Sequence, residues 1–79
     1  MKYYRCYLQM RYPYRDSATG WGDCDKWYFS DKEPDIFIKE FNVSPELEYR
    51  IKYLHIITKD DYDNKIVYSI PNSQVNFYP

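Results

Sequence analysis

At 79 residues the chain is one domain at most, because chains divide into separate cores only well beyond about 200 residues, which excludes a multidomain enzyme. Its 44% hydrophobic and 22% aromatic content is far too high for intrinsic disorder. A formal net charge of −1 and a pI near 5.7 supply neither an overall basic field for duplex DNA nor the acid excess of a DNA mimic.

Residues 3 to 12 alternate, with Tyr4, Cys6, Leu8, Met10 and Tyr12 on one side and Tyr3, Arg5, Tyr7, Gln9 and Arg11 on the other. This is the period of a strand with one buried face. Pro13 ends it, and Tyr14 to Asp25 gathers Asp, Ser, Thr and both glycines, the composition of an exposed loop. Lys26 to Ser30, where Trp27 and Phe29 alternate with Lys26, Tyr28 and Ser30, reads as a second strand antiparallel to the first. Asp31, Glu33 and Asp35 around Pro34 form a helix-start signal. A helix from Glu33 to Phe41 places Phe37 and Phe41 one turn apart, and a strand through Ile36 and Ile38 is the competing reading.

After a break at Asn42 to Pro45, the segment Leu47 to Thr58 can be read at both periods, since Ser44 and Pro45 also look like a helix cap and first position, and alternation favours a strand. Leu47, Tyr49, Ile51, Tyr53, His55 and Ile57 fall on one side, with Glu48, Arg50 and Lys52 opposite. Lys59 to Lys65 reads as a polar hairpin loop and Ile66 to Ile70 as another strand, stopped by Pro71. Val75 to Tyr78 adds a short edge strand or lies over the core. The expected fold is a single small α+β domain over residues 1–79, an antiparallel sheet of four to five strands with one short helix in ββαββ order. Tyr4, Leu8, Trp27, Phe29, Ile51 and Ile57 are expected to be buried. Composition agrees, since Ala18 is the only alanine and Leu8, Leu47 and Leu54 the only leucines, which disfavours a helical bundle.

Little in the sequence supports catalysis. His55 is the only histidine, and no spacing sets it beside a nucleophile or carboxylate. A Cys and His dyad with Cys6 or Cys24 has no supporting motif. Zinc wants about four Cys or His ligands, against two cysteines and one histidine here. Asp60, Asp61, Asp63 and Asn64 lack the glycine and the terminal glutamate of a calcium loop, and Asp23 and Asp25 around Cys24 read as solvated too. With only Gly20 and Gly22 there is no glycine-rich phosphate loop. No cofactor, no metal and no enzymatic activity are expected. The absence of an apolar run of about 20 residues or of a signal-peptide core gives the expectation of a cytoplasmic protein without membrane contact. In that reducing compartment Cys6 and Cys24 are expected as free thiols.

Charge is distributed unevenly. Residues 1–15 carry Lys2, Arg5, Arg11 and Arg15 and no acid, whereas residues 16–48 sum to −6 and residues 49–79 to +1. The outer face of the first strand shows Tyr3, Arg5, Tyr7, Gln9 and Arg11, and the following loop adds Tyr14, Arg15 and Trp21. Such a face suits a protein interface, where rigid rings and bidentate Arg groups concentrate binding energy. It equally suits a nucleotide or single-stranded nucleic acid, with rings stacked on bases and Arg on phosphate. Cross-strand Tyr pairs also serve sheets purely for stability. The partner-binding set is Arg5, Tyr7, Arg11, Arg15 and Trp21, and the double change Arg5→Ala and Tyr7→Ala is expected to abolish binding with the melting temperature nearly unchanged.

In its bias toward Tyr, Ile, Lys, Asn and Asp with almost no Ala, the chain resembles the small accessory proteins of bacteriophages and mobile elements, many of which bind and inhibit a host enzyme or defence system. That resemblance implies a small non-enzymatic binding protein blocking a host protein by direct contact. Self-association as a homodimer is expected as well, from the aromatic face and free strand edges. A binder of nucleotides or single-stranded nucleic acid is the alternative function.

Overall fold

The computed structural model describes residues 1–12 and 20–78, with Phe77 and Tyr78 described by their backbone alone. The elements run β1 (Tyr3–Arg11), β2 (Gly22–Ser30), α1 (Pro34–Phe41), β3 (Glu48–Ile57), α2 (Lys59–Asp63) and β4 (Ser73–Tyr78). All strand pairings are antiparallel and the sheet order is β2-β1-β3-β4, so the chain adopts the expected α+β class. β1 has the cleanest alternation and is paired on both sides. Because β2 and β3 both run antiparallel to β1, they run parallel to each other and need a crossover between them. α1 supplies it.

Pro34 opens α1, Asp35 sits in its first turn and Lys39 in its last, an arrangement that suits both the free N–H groups and the helix dipole. Phe37 is buried over Tyr4, Cys6, Leu8, Ile51 and Leu54. The Phe41 ring lies 5.0 Å from Phe37 and meets Tyr28 and Tyr49 edge-on at 5.0 and 5.3 Å. Asn42 then ties the helix end to β3: its side chain donates to the Tyr49 carbonyl at 3.1 Å and accepts from the Tyr49 N–H at 2.7 Å. Both cysteines are free and belong to this face of the sheet. Burial pushes the Cys6 thiol up to about 12, the opposite of an activated thiolate.

The sheet register is broken twice, and the break in β3 decides which of that strand's side chains face the helix. Tyr7 lies opposite Tyr53 but Leu8 lies opposite Ile51, leaving Lys52 as an extra residue in β3. On the other side Tyr7 lies opposite Trp27 but Gln9 opposite Asp23, and Asp25 takes a left-handed conformation with φ 54°. The single extra residue in β3 re-aims the side chains beyond it, whereas the excess in β2 is two residues, so Trp27 and Asp23 stay on one face. The one-sided alternation expected from Leu47 to Ile57 is therefore corrected: Tyr49 and Ile51 share the α1 face with Met10 and Leu8, while Tyr53 and His55 share the opposite face with Tyr7 and Arg5. Trp27 and Phe29, expected in the core, pair with Tyr7 and Arg5 on that opposite face and are half-buried. Tyr4, Leu8, Ile51 and Ile57 are buried as expected.

The last third of the chain departs furthest from expectation. Lys59 to Lys65 is not a hairpin loop, because Thr58 caps a helix there, its hydroxyl accepting from the Asp61 N–H at 3.1 Å. Asp60 and Asp61 occupy the first turn and Lys59 pairs with Asp63 at 2.6 Å, so cap, dipole and side-chain pair all support α2. Lys65 ends it at φ 54°, with Lys65 and Ile66 N–H groups returning to the Tyr62 and Asp61 carbonyls, a terminus that more often uses glycine. Ile66 to Ile70 forms no strand. The Ile66 and Ser69 carbonyls each accept from the Arg5 side chain at 2.7 Å, which withdraws them from any ladder. The fourth strand is Ser73–Tyr78, paired from Ile56 opposite Ser73 to Ile51 opposite Tyr78. No described helix is long and apolar enough to cross a membrane.

Candidate functional site

The sheet face opposite α1 is divided in two. One end is closed by α2 and by the strap of residues 64–72 that follows it, with the Tyr3 and Tyr62 rings 4.9 Å apart. Beneath that cover lies Arg5, 1% exposed. Its Nε and one Nη donate to His55 Nδ1 at 3.1 and 2.9 Å, and the remaining donors reach the Ile66 carbonyl, the Ser69 carbonyl and the Ser69 hydroxyl at 2.7, 2.7 and 3.0 Å. All five guanidinium N–H groups are thereby satisfied. The Ser69 hydroxyl in turn donates a hydrogen bond to Asp61 at 2.8 Å, so the acid that offsets the charge acts through a hydroxyl. Burial lowers the Arg5 pKa and Asp61 opposes the shift. The expectation of an exposed Arg5 is thus corrected: the face was read rightly, but the strap covers it.

Arginine can only donate, so His55 Nδ1 accepts and the ring proton sits on Nε2. Burial first, and the Arg5 charge second, lower the His55 pKa from 6.5, with Gln74 opposing. A histidine whose pKa is lower folded than unfolded binds its proton preferentially in the unfolded state. Its contribution is complete above pH 6.5 and is lost as pH falls through the folded-state value. The melting temperature is therefore expected to drop between pH 7 and about pH 5, and His55→Asn, which keeps an acceptor but does not titrate, should flatten that drop. Equal slopes in the two proteins would assign it to other groups.

The other end of the face carries the ring cluster. Tyr7 lies 5.1 Å from Trp27 and 5.9 Å from Tyr53, Trp27 and Tyr53 stack at 6.4 Å, and Trp27 meets His55 at 4.8 Å. All three of Tyr7, Trp27 and Tyr53 are half-buried. Around them runs a polar rim. Tyr7 donates its hydroxyl to Asp25 at 3.1 Å, Gln9 donates to Asp23 at 2.9 Å and accepts from Arg50 Nε at 2.9 Å, and Lys52 pairs with Asp23 at 3.3 Å. Arg11 pairs with Glu48 at 3.2 Å. The Arg11 and Arg50 guanidinium groups lie 4.6 and 4.3 Å from the Trp21 ring centroid. Hydrogen bonding from Gln9, then Lys52, holds Asp23 below its ordinary value. Desolvation and the bond to Asp25 raise Tyr7, so it stays a protonated donor.

Of the residues expected to bind a partner, Tyr7, Arg11 and Trp21 come together on this face. Arg5 lies on the same face with its guanidinium 5.4 Å from the Trp27 ring centroid but is buried and unavailable to a partner, and Arg15, with Tyr14, lies outside the described residues. Trp27, Tyr53, Arg50 and Lys52 belong to the site and were missed. Trp27 alternates like a core residue and the bulge at Lys52 hides Tyr53, whereas Arg50 and Lys52 fall on the expected outer side of β3 with nothing in the sequence to tie them to β1. Both thiols lie on the α1 face and His55 on the opposite one, so the sheet itself separates any Cys and His dyad. Among the described residues no three His, Cys, Asp or Glu side chains are grouped to hold a metal ion. What the arrangement offers is contact chemistry: rigid rings, cation–π pairs and charges of both signs. No protein family, curated protein or solved structure matches the chain.

Proposed function

We propose that this chain is a non-enzymatic protein-binding module whose contact surface is the Tyr7, Trp27 and Tyr53 cluster, with Trp21, Arg11 and Arg50 at its rim. The observation that carries the reading is the charge balance around the rings: Arg11, Arg50 and Lys52 are matched by Glu48, Asp23 and Asp25. A site for single-stranded nucleic acid needs surplus cations along the backbone path, whereas a protein contact favours aromatic anchors inside a rim of both signs. Cross-strand packing already fixes the rings, so little rotamer entropy is left to lose on binding. Composition alone supports the finer reading, in which the partner is a host enzyme or defence protein that the contact blocks.

A photocrosslinking side chain at position 53, compared with one at the exposed Lys39 on α1, tests this in bacterial cells. Position 53 is expected to capture one protein that position 39 does not. Trp27→Ala should weaken that capture by at least about tenfold, as removal of a central aromatic anchor does. Equal capture from both positions, or indifference to Trp27→Ala in a folded variant, would exclude this face. Saturable quenching of tryptophan fluorescence by oligothymidylate, weakening with salt, would favour the nucleic-acid alternative.

A further inference from the structure

We infer that the free edge of β4 pairs with the same edge of a second copy, forming an antiparallel dimer in which the two sheets become one. Among the described residues β4 is hydrogen-bonded to β3 alone, so its outer N–H and C=O groups form a row that another extended strand fits. The two edges of the sheet differ in how they treat such a row. β2 carries Asp23, Asp25 and Lys26, is out of even register with β1, and holds Asp25 at φ 54°, a charged and distorted edge of the kind that blocks pairing. β4 has the sequence SQVNFY, with no charge and no proline. It keeps an even register with β3 along its length.

A second copy fits this edge for a reason of symmetry. An antiparallel pair of identical strands is related by a two-fold axis, so the same surface serves both sides. An axis perpendicular to the sheet sets one residue against its own counterpart, and the middle of β4 is Val75 and Asn76. Neither is charged, so self-pairing meets no like-charge repulsion. Val75, opposite Leu54 on the α1 face, is 40% exposed and gains a neighbour across the axis. The distorted β2 edge stops growth at two chains. This dimer does not use the ring face, and it stands or falls separately from the function proposed above.

Sedimentation equilibrium over a roughly hundredfold concentration range should show the mass moving from one chain to two. Val75→Lys sets ammonium groups near each other across the axis and is expected to raise the dimer Kd by at least about tenfold. The neutral, similarly shaped Val75→Thr should retain the dimer, and Lys26→Thr on β2 should leave its Kd unchanged. Circular dichroism of each variant establishes that the fold is kept. A one-chain mass throughout, growth beyond two chains, or a Kd indifferent to Val75→Lys would each overturn the proposal.

Discussion

Arg5→Ala is expected to remove a large share of the stability of the domain. The substitution strands His55 Nδ1 and the Ile66 and Ser69 carbonyls, which now take all but one of the five guanidinium donors, and a buried acceptor left without a partner costs about 1 to 3 kcal/mol. A total of about 3 to 5 kcal/mol follows, comparable to the loss on breaking other buried charged networks. Against a usual stability of about 0.05 to 0.15 kcal/mol per residue, or about 4 to 12 kcal/mol for a chain of 79 residues, that is a large share. Thermal unfolding followed by near-ultraviolet circular dichroism should show the midpoint lowered by about 12 °C or more.

Arg5→Lys separates charge from geometry. Lysine keeps the cation but offers three donors from one point, so it cannot serve both β3 and the strap, and its midpoint should fall between those of wild type and Arg5→Ala. Ser69→Ala removes only the hydroxyl link to Asp61 and should cost about 1 kcal/mol. Hydrogen exchange should report the same order, with amides in residues 64–72 losing protection first. An Arg5→Ala protein melting within a few degrees of wild type would show that the network contributes nothing net. One consequence concerns binding assays: the Arg5→Ala and Tyr7→Ala double variant, expected from sequence to melt normally, instead confounds folding with recognition, and Tyr7 must be tested alone.

Why the sequence led to Arg5 and yet misread it is a matter of range. Alternation over nine residues of β1 is a local signal, and it placed Tyr4, Cys6 and Leu8 against the core and Arg5 and Tyr7 on the other side. It carries no information about what later covers that other side. The cover comes from residues more than sixty positions away, whose own pattern, with Ile66, Tyr68 and Ile70 alternating, imitates a strand. Tyr68 and Ile70 are in fact exposed. For α2 the signal was present in Thr58, Asp60 and Asp61, and the turn-like composition of the same residues outweighed it. The bulges are the reverse case: no glycine or proline marks Lys52, yet that one residue moves Tyr53 and His55 to the ring face. Tyr7, Arg11 and Trp21 were legible as a surface because each lies outside the register change, and Trp27 was not because a large ring in a strand reads as core.

The α1 segment is one of two that the sequence leaves open between helix and strand, and a graded series of substitutions separates the readings. In the helix, Phe37 is 8% exposed over the core and Ile36 is 50% exposed. Phe37→Ala should therefore cost about 3 to 5 kcal/mol, the transfer loss and the cavity acting together, with a midpoint lower by about 12 °C or more. Phe41 is half-buried, but its ring touches Phe37, Tyr28 and Tyr49, so Phe41→Ala should lose about 1 to 2 kcal/mol of burial and ring contact. Ile36→Ala should change stability by no more than about 0.5 kcal/mol, as for other surface sites. A strand through this segment would give a different order, since Ile36 and Ile38 would share the buried side and Phe37 would point away. Ile36→Ala proving as damaging as Phe37→Ala would thus reject the helix, and with it the crossover that carries the chain from β2 to β3 over the α1 face.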